Sequence, residues 1–125
     1  MIYSFCQLIF KIIFKFLFRW EIYGRENLPR SGAAILAANH TSFLDPPLIG
    51  TPVPQKIYFF TRQDLLHPPL WGWFLKQLHA VPVEREKPSP ASLKIIFQLL
   101  KSGQIVVMFP EGTRSGGREM EKAKR

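Results

Sequence analysis

The sequence predicts an α/β fold, a mostly parallel sheet flanked by helices, with an amphipathic helix at the amino terminus. Three observations carry this reading. From residue 33 onward, short β-prone apolar runs alternate with helical stretches and are separated by Pro and Gly. A well-marked helix joins the last two of those runs, a succession that normally makes a parallel crossover. Residues 2–20 instead carry polar side chains at helical spacing through an apolar run.

In residues 2–20 (IYSFCQLIFKIIFKFLFRW), Ser4, Gln7, Lys11, Lys15 and Arg19 recur every three or four positions. They make one narrow polar stripe on a helix that is otherwise Ile, Leu, Phe, Tyr, Trp or Cys. A spanning helix needs roughly 20 predominantly apolar residues, and a central Lys costs about 2.5–3.5 kcal/mol on insertion scales. Lying in the membrane interface costs less, because the Phe-rich face sinks into the acyl boundary while Lys11, Lys15 and Arg19 stay with anionic head groups. The expectation is an interfacial helix over residues 1–20 and one further unit over 21–125; a tilted span and a core helix are the alternatives. A cleaved signal peptide fits poorly, since the charges punctuate the apolar run instead of preceding it.

At 125 residues the chain suits one domain, and 46% apolar against 21% charged residues excludes disorder on composition. Seventeen Lys and Arg against nine Asp and Glu give a net charge of +8. Such an excess seeks phosphate, whether in nucleic acid, in anionic head groups or in a phosphorylated substrate. No nucleic-acid motif is present, so nucleic acid is not an expected partner. The single cysteine, Cys6, excludes an internal disulfide and stands in an apolar segment where no reactive role is expected.

Residues 33–38, 57–61, 80–83 and 105–109 have the composition of buried strands. The clearest helix is 90–102: Ser89 supplies the N-cap, Pro90 suits the first turn, and Gly103 ends it. Its apolar face is expected at Leu93, Ile96, Phe97 and Leu100. The charged stretch 118–125 reads as a solvated helix start.

Three polar clusters directly follow three of the strands: Asn39 to Asp45, then Glu84-Arg85, then Glu111 to Ser115. Ligands of open parallel sheets bind at the carboxyl ends of strands, so these clusters should meet at one edge. His40 and Asp45 are five apart, about 140° on an ideal helix, and cannot pair there. Pro46 disfavours helical geometry at Asp45, and Thr41 and Ser42 are turn formers, so a bend can bring carboxylate to imidazole. The pair would fix the tautomer and leave a base suited to a hydroxyl nucleophile. The alternative is a strand-end cap at Asn39-His40 with Asp45 capping the next helix. Arg114, in a Gly-rich turn, can clamp a phosphate or simply occupy a surface loop, and Arg85 is either a second clamp or a solvated strand end. His67 and His79 lack ligand spacing and read as packing residues, so no metal is implied.

Asn39-His40-Thr41-Ser42-Phe43-Leu44-Asp45-Pro46 resembles the NHxxxxDP block of the glycerophospholipid acyltransferases, the family that includes 1-acyl-sn-glycerol-3-phosphate acyltransferases. Phe109-Pro110-Glu111-Gly112-Thr113-Arg114-Ser115 matches that family's FPEGTRS block letter for letter, and Val83-Glu84-Arg85 resembles its intermediate block. The resemblance extends from Trp20 to Ser115. It implies His40 as catalytic base with Asp45 orienting it, and Arg85, Glu111, Gly112, Thr113 and Arg114 around the acceptor's glycerol phosphate. It also implies lysophosphatidic acid or a related glycerol-phosphate lipid as acceptor, acyl-CoA or acyl carrier protein as donor, no bound cofactor, and association with the cytoplasmic face of a membrane. Family members continue past this length with a Pro-containing hydrophobic block that has no match here, so the core is expected to be truncated at its carboxyl end. A membrane-surface module of the same fold without turnover is the alternative from another class.

Overall fold

The computed structural model describes residues 1–83 and 89–110. The β-prone runs are strands within a residue or two of expectation: β1 (Ala34–Ala37), β2 (Ile57–Arg62), β3 (Ala80–Val83) and β4 (Ile105–Met108). They form one sheet in the order β1-β4-β2-β3, and each pairing is parallel. Successive strand residues face opposite sides, so Ile105, Val106 and Val107 at 0% exposure mean that both faces of β4 are covered. β1 lies at the border, where burial alternates and Ile35 is 52% exposed. The core gathers Val53, Ile57, Ile105 and Val107, with Tyr3, Leu36, Ile49 and Phe109 packed against them.

The helices are α1 (Ile2–Leu17), α2 (Asp45–Gly50), α3 (Pro69–Gln77) and α4 (Pro90–Lys101), with 3-10 turns at Arg25–Asn27 and Gln63–Leu66. α4 is bounded as its sequence requires. The Ser89 hydroxyl accepts from the Ser92 amide at 3.2 Å, and Gly103 takes a φ of 75° at the far end. There the Gln104 amide donates to the Leu99 carbonyl and the Gly103 amide to the Leu100 carbonyl, both at 3.0 Å, the paired bonds of a Schellman stop. The buried side of α4 differs from the expected one. Ser92 is buried and Ile95, Ile96, Leu99 and Leu100 are half-buried, whereas Leu93 and Phe97 are exposed, Phe97 at 62%. The small Ser92 lets that side of the helix approach, and Leu93 and Phe97 fall on its shoulder. The crossover through α4 joins parallel strands, as expected, but β2 lies between them. α3 holds a glycine in mid-helix, which weakens its pattern in sequence. A Cβ on Gly72 would lie 2.1 Å from the Leu66 carbonyl oxygen, so the close approach of α3 to the preceding turn demands glycine.

α1 divides its faces differently from the simple stripe. Gln7 turns inward, its side-chain amide donating to the carbonyls of Gly50 and Val53 at 2.8 and 2.9 Å. On the same side the Tyr3 hydroxyl accepts from the Ile57 amide at 3.1 Å, and Phe14 is buried. Arg19 is not on the helix at all: α1 ends at Leu17, and Arg19 has a φ of 47°. Phe5, Leu8, Ile9, Ile12 and Phe16 form the opposite, exposed face, with exposed Lys11 and Lys15 along its flank. No helix among the described residues is long and apolar enough to cross a membrane. Because Gln7 satisfies carbonyls at the end of α2, Gln7→Ala is expected to cost about 1–3 kcal/mol. A urea titration checks this: the midpoint should fall with an unchanged slope.

His79 is a packing residue, as expected, its ring stacked between those of Tyr3 (5.0 Å) and Tyr58 (4.6 Å). Burial, then the Lys56 charge, pushes its pKa below the ordinary value. His67, in contrast, is exposed at the end of its 3-10 turn and packs little.

Candidate active site

The site begins where β1 ends. β1 and β4 are neighbours in register, Ala37 opposite Met108, and the Ala38 amide continues the ladder by donating to the Met108 carbonyl at 3.0 Å. The two chains therefore leave the sheet side by side, one into His40 and the other into Phe109. Their rings stack with centroids 4.2 Å apart and planes at 27°.

Past His40 the backbone folds back on itself. The Asp45 amide donates to the Ser42 carbonyl at 3.2 Å, and the Leu44 amide to the Ser42 hydroxyl at 3.2 Å. This turn returns the Asp45 carboxylate to the start of the segment, where Oδ2 gathers three donors. They are His40 Nδ1 at 2.9 Å, the Thr41 amide at 2.6 Å and the Ser42 amide at 2.8 Å. The predicted contact between residues 40 and 45 is thus present, with one correction to its reason. Pro46 does not keep Asp45 out of a helix, because α2 starts at Asp45 itself. Pro46 and Pro47 sit in the first turn, where missing amide donors cost nothing. The alternative, with Asp45 as the cap of the next helix, is not what is seen: Leu44 is the N-cap of α2 and no side chain caps it, while Asp45 is the first helical residue and its carboxylate turns back to His40.

Asp45 is 8% exposed. Burial raises its carboxyl pKa, but the Ser42 and Thr41 amides and the His40 ring outweigh it and hold the pKa below the ordinary value. A folded pKa below the unfolded one contributes stability at neutral pH, which is lost as the pH falls through the carboxylate range. The group is ionised at pH 7. An ionised carboxylate only accepts hydrogen bonds, so His40 Nδ1 carries the proton and Nε2 is the basic nitrogen. This arrangement can remove a proton from a hydroxyl and stabilise the imidazolium that results.

The remaining expected site residues, Arg85, Glu111, Gly112, Thr113 and Arg114, lie outside the described residues. The strands that lead to them are placed. β4 ends beside β1, so the Glu111 to Arg114 block begins two residues after the ring that stacks on His40. β3 ends at Val83 on the opposite border of the sheet, at the same carboxyl edge, three strand positions from β1. That is roughly 14–15 Å at the usual strand spacing. The sequence reading missed the partnership of Phe109 with His40, and the Thr41 and Ser42 amides as carboxylate donors. The first needed the strand order; the second was hinted at by the turn-forming Thr-Ser pair.

A solved structure similar in fold is that of the 1-acyl-sn-glycerophosphate (LPA) acyltransferase PlsC from Thermotoga maritima. Its TM-score is 0.71 at 31% identity, over 90% of this chain and 45% of that one. A 1-acyl-sn-glycerol-3-phosphate acyltransferase of Bacillus subtilis is 37% identical over 114 residues, 90% of this chain and 57% of the relative. A lyso-ornithine lipid O-acyltransferase of Rhizobium meliloti is 32% identical over 104 residues, 82% of this chain and 34% of the relative. The chain therefore spans little more than half the length of the Bacillus protein, and less of the others. The family profile described as Acyltransferase matches residues 19–125, starting just past α1, and with the parallel sheet in agreement the chain belongs to the acyltransferase family.

Proposed function

We propose that this chain carries the catalytic core of an enzyme that moves a fatty acyl group from a thioester to the sn-2 hydroxyl of lysophosphatidic acid, giving phosphatidic acid. The observation that carries the proposal is the 2.9 Å bond between His40 Nδ1 and an Asp45 carboxylate fixed by two backbone amides. His40 Nε2 takes the proton of the acceptor hydroxyl while its oxygen attacks the thioester carbonyl of acyl-CoA or acyl carrier protein. The tetrahedral intermediate collapses, the carbon–sulfur bond breaks, and the departing thiolate takes the proton back from His40. Asp45 stabilises the transient imidazolium and is not itself protonated. Arg85 and Arg114 grip the acceptor's phosphate, and Glu111, Gly112 and Thr113 shape the loop around it. α1 keeps the enzyme at the cytoplasmic face of a membrane, its exposed Phe and Ile side chains in the acyl boundary and Lys11 and Lys15 beside anionic head groups.

The Rhizobium relative is named for a lyso-ornithine lipid, which makes the acceptor's head group the point to test. Acyl-CoA is supplied with lysophosphatidic acid, monoacylglycerol or lyso-ornithine lipid in vesicles containing anionic lipid, and thiol release is followed. Lysophosphatidic acid should react at least about tenfold faster than its dephosphorylated counterpart. Equal rates would remove phosphate recognition, a faster lyso-ornithine lipid would change the acceptor, and no release with any would remove the acyltransferase reading.

A further inference from the structure

We infer that Phe109 is a positioning residue for His40, holding the imidazole in its working orientation and lying against the imidazolium that forms during the reaction; this rests on His40 acting as the base. The bond from Nδ1 to Asp45 Oδ2 anchors one edge of the imidazole, and a contact on the ring's face opposes a swivel about that line. A swivel of a few tens of degrees would move Nε2 off the hydroxyl it must meet, and misplacement on that scale is costly in catalysis. The Phe109 ring lies against one face of the imidazole at 4.2 Å and 27°, which blocks the swivel.

Phe109 can do this because it cannot easily move. It packs on the core of Val53, Ile57, Ile105 and Val107, and it follows β4 directly, beside the chain leaving β1. The two strands that carry the rings are joined by the Ala38 amide to Met108 carbonyl bond at 3.0 Å, so their separation is set by the sheet. The contact also changes character during the reaction. When His40 takes the proton it becomes a cation over an aromatic face, an attraction that a neutral ring lacks. Phe109 therefore acts on the reacting state more than on acceptor binding, and its effect belongs in kcat.

The test pairs kinetics with NMR. Phe109→Leu keeps an apolar side chain on the core but removes the π face; Phe109→Tyr keeps both. Leu should lower kcat about tenfold with the acceptor KM within about twofold, and Tyr should restore kcat to within about threefold. In the wild-type spectrum the His40 ring protons should be shifted upfield by the Phe109 ring current, and should move downfield in the Leu variant while unfolding remains cooperative. Two results overturn the inference: His40 ring protons at the same positions in wild type and Leu variant, or a Leu variant with wild-type kcat. A kcat loss that Tyr does not rescue also overturns it, since that would reflect packing alone. Absence of turnover in the wild type would instead count against the proposed function, with the NMR comparison still deciding whether the stack orients His40.

Discussion

His40→Ala is expected to reduce kcat for acyl transfer by about 10²–10⁴-fold while leaving the fold intact. The size follows from the role. No other group in the turn can accept the hydroxyl proton in its place, since Asp45 is held ionised by three donors at one oxygen and points back into the loop. The fold survives because removal of the imidazole leaves Asp45 with the Thr41 and Ser42 amides, so no buried carboxylate is stranded. Thiol release measured beside a urea midpoint separates the two effects. Wild-type turnover in this variant would exclude His40 as the base.

Asp45→Asn comes second in expected size, a loss of about 10²–10⁴ in kcat with little change in structure. The geometry makes it a test of charge. All three close donors converge on Oδ2, so an amide oxygen in that place can still accept from His40, Thr41 and Ser42. What disappears is the negative charge that stabilises the imidazolium, and the bonds to a neutral oxygen are weaker. If the side chain flips, its NH2 meets Nδ1, imposes the other tautomer and leaves Nε2 protonated, which also stops the base. Both orientations predict a kcat effect larger than any change in KM. An Asn variant with near-normal kcat would mean that the carboxylate serves the turn alone.

Much of this was legible in the chain because it was written locally. Residues 105–107 are three adjacent β-branched apolar side chains, the signature of a strand covered on both faces, and β4 is that strand. α4 was bounded by Ser89 and Gly103, whose chemistry acts within a turn of where it stands. The meeting of His40 with Asp45 was also local, although Pro46 did not keep Asp45 out of helical geometry, since α2 begins at Asp45. What was not legible depends on partners distant in sequence. Gln7 fell into a stripe with Lys11 and Lys15 because periodicity registers polarity and not what a side chain faces; its carbonyl acceptors lie more than 40 residues away. The order β1-β4-β2-β3 cannot be read from strand composition, and without it Phe109 was only the end of a strand. Leu93 and Phe97 were assigned inward by a rule that does not see the small Ser92 on the buried side.

The central claim is that residues 40 and 45 act as one unit, and a double-mutant cycle in kcat/KM for acyl transfer to lysophosphatidic acid measures that unity directly. Wild type, His40→Ala, Asp45→Asn and the double variant would be compared under one set of conditions. If the carboxylate works only through the imidazole, the double variant should be no slower than His40→Ala, with the effect of Asp45→Asn vanishing once His40 is gone. Losses that simply multiply would show two residues acting independently and would contradict the account.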